Sequence, residues 1–369
     1  MSETLHIKNF GPIKDVKLEL KKINVFIGDQ GTGKSTVGKV YSILKNFIYL
    51  IIFNHDNPEK QENNTWQFEE YLKTFEISGY LTNVTEISYK DDGFNDIEIL
   101  YKNKIIVTNL KREFIVPPNF NYIVAERVFV STLSDAFFGL NQFGTKLPTL
   151  FNRFGNKFST ARKEKSRRDY GEILNVTFSH INGVDSVILE DNSIVPLSDT
   201  STGLQGTIPL LVVYDNIVEL INSNSNSSKI RDHLLVIEEP ELNLFPLTQK
   251  KLLNYIIGNN FEVRGNIDEK TYKNQLLITT HSPYILTALN NLIYAHEIGK
   301  LNKESVENLI DFKYWVNPDD VSVYQLLTNG TCESIMDEEL KQIKVEKIDE
   351  ISEILSKQWH ELADLNFAK

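Results

Sequence analysis

The hydrophobic positions near the start of the chain alternate with polar ones, as they do in half-buried strands. Residues 4–9 and 16–20 have this two-residue period and flank a turn at Gly11-Pro12, which predicts a pair of antiparallel strands. Continuous apolar runs follow at three places, 23–27, 233–237 and 275–279. Such runs are typical of strands buried on both faces of a parallel sheet. The pattern therefore predicts a buried sheet together with an antiparallel layer.

Apolar residues at helical spacing mark other elements, and their order along the chain suggests a division into lobes. Positions 37–48 and 207–220 predict buried helices, and 348–362 predicts a C-terminal amphipathic helix. Short β runs between residues 79 and 123 predict the rest of the antiparallel layer. We expect an α/β fold with a mixed sheet, an antiparallel β layer and a smaller helical lobe. The predicted divisions are 1–130 and 229–330 for the main lobe, 131–228 for the smaller lobe, with β runs at 173–179 and 186–195, and 331–369 for a helical tail.

Composition excludes several classes of protein. The 369 residues include 39 basic and 50 acidic ones, a formal net charge of -11, so nucleic-acid binding would need a local basic patch. A single cysteine, Cys332, rules out an intramolecular disulfide framework and a CxxC zinc site. The start lacks the plan of a secretion signal, and the most apolar run, 47–53, is far shorter than the ~20 residues of a membrane span. We expect a cytoplasmic protein that does not enter a membrane.

A glycine-rich segment follows the first apolar run: Gly28-Asp-Gln-Gly-Thr-Gly-Lys34-Ser35. It fits G-x-x-x-x-G-K-[ST], the pattern of a phosphate-binding loop between a strand and a helix. Glycines let backbone N–H groups converge on phosphate oxygens, and the helix N-terminus adds a favourable partial charge. Lys34 can then reach the β- and γ-phosphates of a nucleotide, and Ser35 can ligate Mg²⁺. The segment predicts nucleotide binding.

Two adjacent carboxylates end the second apolar run, Leu234-Leu-Val-Ile-Glu238-Glu239. The carboxyl end of a parallel strand lies at the edge of the sheet where ligands bind. Glu238 is predicted to hold Mg²⁺, directly or through water, and Glu239 to orient and deprotonate an attacking water. His281 follows the third apolar run and is a candidate hydrogen-bond partner of the γ-phosphate.

These elements, with Thr200-Ser201-Thr-Gly203-Leu-Gln205 between them, resemble the ABC-class ATPase head of the SMC, RecF and OLD families. Ser201, Thr202 and Gly203 look like the signature motif, which in those families docks on the γ-phosphate bound by a second head. The resemblance implies an ATP hydrolase with ATP and Mg²⁺ as cofactors, acting as a homodimer or higher homo-oligomer. The implied ATP-binding residues are Gly28, Asp29, Gln30, Gly31, Thr32, Gly33, Lys34, Ser35 and Thr36. The implied catalytic residues are Lys34, Glu239 and His281, and the implied metal ligands are Ser35 and Glu238.

Departures from those families narrow the prediction. Glu238 stands where they use aspartate, which suggests an indirect or weaker metal contact. The interval between residues 127 and 201 holds no heptads, unlike the coiled coil of SMC proteins. No strand ending in D-x-D follows the histidine, so we reject a TOPRIM nuclease in this chain. Residues 122–127 end a strand where the families have their Q-loop, so Arg127 or Gln142 is expected at the nucleotide, with a surface salt bridge as the alternative for Arg127.

A basic segment interrupts the acidic chain and is the candidate nucleic-acid or partner surface. Its members are Arg153, Lys157, Arg162, Lys163, Lys165, Arg167 and Arg168, opposed within the span only by Glu164. Such a cluster could contact phosphates of a nucleic acid or dock an acidic partner. The alternative is an ordinary solvated helical face.

Three functions fit these expectations. The first is an ATP-sandwich dimer that acts as a nucleotide-driven switch, resembling the ATPases of bacterial anti-phage systems, in which a separate effector, often a nuclease, is the toxic component. The second is a nucleotide-dependent scaffold that sequesters an effector with negligible turnover. The third is a RecF-like ATPase of DNA repair or recombination. Glu239 favours the first over the second, because a pure binding switch does not need a catalytic base.

Overall fold

The computed structural model describes residues 3–54, 64–92, 97–110, 119–132, 147–224, 233–259, 274–344, 356–357 and 359–360. The strands are β1 (Glu3–Phe10), β2 (Ile13–Leu20), β3 (Ile23–Ile27), β4 (Glu86–Asp91), β5 (Ile97–Lys102), β6 (Ile105–Leu110), β7 (Asn119–Ile123), β8 (Arg167–Asp169), β9 (Thr177–Ile181), β10 (Val184–Ile188), β11 (Ile194–Pro196), β12 (His233–Glu238), β13 (Asn274–Thr280), β14 (Val321–Leu326), β15 (Cys332–Ser334), β16 (Met336–Asp337) and β17 (Gln342–Ile343). The α-helices are α1 (Lys34–Asn54), α2 (Asn64–Thr74), α3 (Val128–Thr132), α4 (Thr149–Glu164), α5 (Gly171–Leu174), α6 (Thr202–Asn224), α7 (Pro246–Gly258), α8 (Pro283–Gly299) and α9 (Lys303–Glu307).

A six-stranded mixed sheet holds the three predicted apolar runs as β3, β12 and β13. Its order is β15-β14-β3-β13-β12-β7, and all neighbouring pairs are parallel except β14 with β15. The three strands are almost entirely buried, because both faces of the sheet are covered and their apolar residues need no polar side. Strand β13 lies between β3 and β12, so the loop after β13 lies between the loops that follow the other two.

The antiparallel layer is a five-stranded sheet in the order β2-β1-β4-β5-β6. Its strands alternate buried and exposed residues, as predicted for a sheet with one wet face. A buried ion pair ties this layer to α1: Lys45 Nζ lies 2.7 Å from Glu3 Oε1, and the hydroxyls of Tyr41 and Tyr89 donate to the same oxygen. These donors compensate for burial, and the pKa of Glu3 is lowered despite the opposing effect of desolvation.

The smaller lobe contains strands as well as helices, in the region of the two β runs predicted within it. It contains a four-stranded antiparallel sheet, β11-β10-β9-β8, beside α4 and α6. The run at 173–179 divides into the end of α5 and the start of β9, and the run at 186–195 divides into β10 and β11. Periodicity alone does not reveal such breaks because each piece is only three to five residues long.

Two further segments need comment. Helix α6 is long and apolar enough to cross a membrane by composition, and 67% of its most apolar stretch is buried inside the protein. The prediction of a helical tail is wrong for residues 331–344, which form β15, β16 and β17. Most of the amphipathic helix predicted at 348–362 lies outside the described residues, as does Gln142.

Candidate functional site

The glycine-rich loop joins β3 to α1, as its sequence predicts, and two of its glycines are required by packing or backbone conformation. Gly28 has φ 154°, and a Cβ there would lie 2.3 Å from the carbonyl oxygen of Leu326, at the end of β14. Gly33 has φ 99°, a conformation that side chains disfavour. Between them, Asp29, Gln30 and Gly31 are exposed. The loop is therefore fixed at both ends while its middle stays accessible to a ligand.

Lys34 is 5% exposed, although it carries a charge, and its ammonium group is held by the loop itself. Its Nζ donates to the carbonyl oxygens of Gly28 at 2.7 Å and Asp29 at 2.8 Å. Burial lowers the pKa of Lys34, and the nearby carboxylates of Glu239, Asp29 and Glu241 oppose that shift. The arrangement places a largely desolvated cation at the first turn of α1. The next two residues of that turn, Ser35 and Thr36, are half-buried and buried.

The three predicted catalytic residues lie in a row. Nδ1 of His281 is 3.5 Å from Lys34 Nζ, and its Nε2 is 3.3 Å from Oε1 of Glu239. His281 and Glu239 keep 31% and 25% of their side-chain surface exposed, so both remain open to a ligand. The order of strands explains the contact, because β13 carries the histidine between the phosphate loop and the acidic end of β12.

Glu239 has a strained backbone. Its φ is 44°, the left-handed region that non-glycine residues seldom adopt, and its N–H donates to the carbonyl of Thr279 at 2.8 Å. This turn separates the two adjacent carboxylates, so that Glu238 stays buried and Glu239 reaches the open side. Strain of this kind persists where the surrounding structure fixes it, and it is frequent at functional sites.

A residue that the sequence analysis missed, Glu241, supports His281 from behind. Its Oε1 accepts hydrogen bonds from the hydroxyl of Thr280 at 2.8 Å and from the backbone N–H of His281 at 2.7 Å. The side chain is buried, and its Oε2 has no hydrogen-bond partner among the described residues. The signal was available in the sequence as a third acidic residue after Pro240, two positions beyond Glu239.

Glu238 is held by protein groups on both oxygens. Oε1 accepts from the hydroxyl of Tyr122 at 2.7 Å, and Oε2 from the N–H of Ala125 at 3.3 Å. A carboxylate has further acceptor positions, so the residue fits a contact to Mg²⁺ through water. The described residues contain no group of three or more His, Cys, Asp and Glu able to hold a metal. The metal roles of Ser35 and Glu238 stay predictions.

Replacing Tyr122 by phenylalanine tests the hold on Glu238. Burial, and then the charge of Glu238, raise the pKa of Tyr122 well above its usual range, so the phenol stays protonated and donates. We expect Tyr122→Phe to lower the free energy of unfolding by about 2 kcal/mol, the contribution of a hydrogen bond to a charged group. Urea unfolding measures this, with the half-exposed Tyr294→Phe as matched control, expected within about 0.5 kcal/mol of wild type. Equal stability of the two variants would contradict the interpretation.

Arg127 is buried, so the surface salt bridge expected as its alternative is wrong, while its contact with nucleotide stays a prediction. Its guanidinium is 1% exposed and donates to four backbone carbonyls. The acceptors are Gly206 at 3.1 Å, Val124 at 3.1 Å, Glu238 at 2.7 Å and Glu239 at 2.7 Å. Burial lowers its pKa to about 10, against the raising effect of the neighbouring glutamates. Arg127 thus joins the end of β7, the end of β12 and the start of α6.

The signature segment begins α6. Ser201 and Thr202 are exposed, whereas Gly203 is buried against the loop that follows β12. A Cβ on Gly203 would lie 2.6 Å from the carbonyl oxygen of Asn243. Among the hydrogen bonds of the described residues, Ser201 Oγ has one at 3.4 Å from the N–H of Leu204. No hydrogen bond among the described residues joins the segment to the phosphate loop of its own chain.

The basic segment is largely neutralised by carboxylates from elsewhere in the fold, which corrects the expectation of a free basic surface. Arg162 and Arg168 are 6% and 4% exposed. Arg162 pairs with Asp185, while Arg168 and Lys165 share Glu219 at 3.1 and 2.7 Å. Lys163 and Arg167 are exposed. The sequence analysis counted only Glu164 against these cations because the true partners lie on β10 and α6, distant in the chain.

Comparisons with known proteins indicate the family of this chain. Residues 1–134 and 131–286 match the family model described as an AAA ATPase domain. Endonuclease GajA of Bacillus cereus (strain HuB5-5) is 24% identical over 275 residues, 69% of this chain and 39% of its own length. DNA repair protein RecN of Rickettsia prowazekii (strain Madrid E) is 22% identical over 404 aligned positions, 94% of this chain and 69% of RecN. A crystal structure of the SmcHead bound to the C-winged helix domain of ScpA matches with a TM-score of 0.48 and 11% identity, over 92% of this chain and 99% of that one.

The family match spans every candidate catalytic and ATP-binding residue, from Gly28 to His281. This chain covers well under half of GajA, so the activity of that whole protein is not transferred to it. The expected resemblance to an ATPase head of the SMC, RecF and OLD type is confirmed at the level of the family. The chain belongs to the AAA ATPase domain family.

Proposed function

We propose that this protein is a Mg²⁺-dependent ATP hydrolase that dimerises around two ATP molecules and works as a nucleotide-driven switch. The observation that carries the proposal is the row of Lys34, His281 and Glu239 beside an accessible glycine loop. This set supplies a cation for phosphate, a hydrogen-bonding imidazole and a partly exposed carboxylate within a few ångströms. Those are the groups that phosphoryl transfer to water requires.

Each residue has a distinct task in the proposed reaction. The loop N–H groups between Gly28 and Lys34 bind phosphate oxygens, and Lys34 exchanges its two carbonyl contacts for the β- and γ-phosphates. Glu239 accepts a proton from the water that attacks the γ-phosphorus, and His281 donates a hydrogen bond to the γ-phosphate. Mg²⁺ supplies charge neutralisation of the phosphates, with Ser35 and Glu238 as its protein contacts, the latter through water.

The proposal predicts weaker ATP binding when the charge of Lys34 is removed. Lys34→Met keeps an unbranched side chain of similar length but leaves the phosphates without their main side-chain cation. We expect at least a tenfold weaker ATP affinity, about 1.4 kcal/mol or more, by calorimetry. Lys165→Met, which removes an equal charge at the surface pair with Glu219, serves as control and should bind ATP normally. Unchanged ATP affinity in Lys34→Met would show that the glycine-rich loop is not the ATP-binding site.

Dimerisation is proposed because the signature segment is exposed and makes no described hydrogen bond to its own phosphate loop. A second chain related by a two-fold axis would bring its Ser201 and Gly203 to the γ-phosphate, giving an isologous interface with two sites. Phe245, which is 75% exposed at the start of α7, lies two residues beyond Asn243, the contact of Gly203. An exposed aromatic residue close to the segment suits a surface that is covered on association.

The biological role proposed is anti-phage defence, in the cytoplasm, with a separate effector protein that supplies the toxic activity. Support comes from the relative GajA, whose name describes an endonuclease and whose length exceeds the part matched here. Copurification of this chain with the product of an adjacent gene, dependent on ATP, tests the effector. Phage plating on cells that carry the pair, against cells with Glu239→Gln, tests the defence.

A DNA-repair role is the second candidate, because RecN matches 94% of this chain. It predicts that duplex DNA binds and stimulates ATP hydrolysis, with a steep dependence on salt. Lys163 and Arg167 are two exposed cations of the basic segment, next to the internally paired Arg162, Lys165 and Arg168. If duplex DNA stimulates ATP hydrolysis in wild type but not in the double variant Lys163→Gln/Arg167→Gln, the repair role is favoured over a defence role that involves no nucleic acid.

A further inference from the structure

A cavity of about 410 Å³ lies at the outer edge of the six-stranded sheet, away from the phosphate loop. Strand β7 forms its floor and α4 one wall, with single residues from α1 and α2. Its polar lining consists of two cations, Arg153 and Lys157, and three amides, Asn46, Asn119 and Asn156. The aromatic lining consists of Tyr71, Phe120, Tyr122 and Phe154. The volume is that of a small-molecule site, and none of the described lining residues is a carboxylate.

The two cations differ from Arg162, Lys165 and Arg168 in having no acidic partner among the described residues. Arg162, Lys165 and Arg168 each pair with a carboxylate, as described above. Arg153 and Lys157 have no such pair among the described residues, and the bond of Lys157 is to the neutral amide of Asn121. They lie four residues apart on α4, so they face the same side of the helix. Two like charges held together without a counter-ion suit an anionic ligand.

We propose that this cavity binds a small phosphomonoester that carries a planar ring. The phosphate lies between Arg153 and Lys157, where a dianion is matched by two cations and by amide donors. The ring packs on Phe120, which is already in contact with the ring of Tyr122 at a centroid distance of 6.2 Å. The site is distinct from the proposed ATP site, whose cation is Lys34. It nevertheless adjoins that site, because Tyr122 also donates to Glu238.

The charge of Lys157 makes the proposed binding depend on pH. Burial, and then repulsion from Arg153, lower the pKa of Lys157 to about 8. Among the described lining residues, the other titratable groups are the phenols of Tyr71 on α2 and Tyr122 on β7, and burial raises the pKa of Tyr122. A bound phosphate stabilises the ammonium form, so affinity is full near pH 7 and declines as the pH rises through 8. A phosphomonoester stays a dianion over this range.

Three Lys→Met variants of the full-length protein test the proposal by calorimetry with phenyl phosphate, a ligand without adenine. We expect binding to weaken at least tenfold in Lys157→Met and to persist in Lys34→Met and Lys165→Met. From pH 7 to 9 the wild-type affinity should fall about tenfold, while Lys157→Met should show no such decline. Inorganic phosphate should bind about tenfold more weakly than phenyl phosphate, because it lacks the ring.

Several results would overturn the site. One is the failure of the wild-type protein to bind phenyl phosphate at millimolar concentrations, and another is a loss confined to Lys34→Met, which would assign the ligand to the phosphate loop. Equal binding of inorganic phosphate would remove the ring from the proposal. If circular dichroism shows that Lys157→Met is destabilised, Arg153→Gln, at the exposed rim of the cavity, replaces it as the test variant. Unchanged binding of phenyl phosphate by Arg153→Gln would reject the site.

Discussion

Glu239→Gln should bind ATP with wild-type affinity and hydrolyse it at least ~100-fold more slowly, the loss expected for a positioned base. The amide is nearly isosteric and can keep a hydrogen bond to His281, but it cannot accept the proton of an attacking water. Its left-handed backbone and the bond from its N–H to Thr279 do not depend on the side chain, so the turn should survive. Single-turnover hydrolysis and calorimetric ATP binding measure the two effects separately.

The matched control for this variant is Glu126→Gln, the same change at an exposed glutamate just beyond β7. It alters the charge near Arg127 without touching the row of Lys34, His281 and Glu239. We expect hydrolysis within about twofold of wild type in the control. Light scattering should show the Glu239→Gln protein accumulating as the ATP-bound dimer. Near-normal turnover in Glu239→Gln would show that another group acts as the base. If wild type hydrolyses ATP as slowly as Glu239→Gln, the scaffold with negligible turnover is favoured instead.

Mixing two inactive variants should restore hydrolysis if the active site is shared between two chains. Ser201→Arg places a bulky cation on the exposed signature position, and Lys34→Ala removes the phosphate cation; each alone should have less than about a hundredth of wild-type activity. In a heterodimer one site combines the intact phosphate loop of one chain with the intact signature of the other. With random exchange at equal concentrations, about a quarter of the wild-type rate per chain is expected.

The control for the mixture is Ser201→Arg alone at the same total concentration, which should stay inactive. A second mixture combines Ser201→Arg with Glu239→Gln. The second mixture should also recover, because the glutamine and the arginine again fall in the same defective site. A mixture that stays inactive while light scattering reports dimers would refute the shared site. Full activity of Ser201→Arg alone would make the segment a turn without a catalytic role.

Local sequence patterns predicted the parts of this molecule that are determined by neighbouring residues. The strand, glycine loop and helix over 23–54 follow from short-range periodicity and from the backbone freedom of glycine, and all three form as expected. The apolar strands β12 and β13 were equally clear because strands buried on both faces need no polar positions. The family resemblance assigned His281 and Glu239 to one site, whereas the order of strands that brings them together is known from the structure.

Features that depend on distant residues were misjudged. Arg127 looked like a candidate for a surface salt bridge, because nothing near it in sequence shows that it is buried against four carbonyls. Arg162 and Arg168 looked free because their carboxylates lie 23 and 51 residues further along the chain. Charge counted along a segment thus misleads wherever the fold supplies partners from other elements.

The contact between Gly203 and the carbonyl of Asn243 bears on how related sequences are interpreted. A side chain at position 203 would collide with backbone of the same chain, so selection for folding alone preserves glycine there. An invariant glycine at this point in an alignment would therefore carry no information about whether a protein in the lineage dimerises. Ser201, whose side chain is exposed, is free of that constraint. Divergence at Ser201 among relatives that retain the glycine would mark lineages in which selection on the shared site has been relaxed.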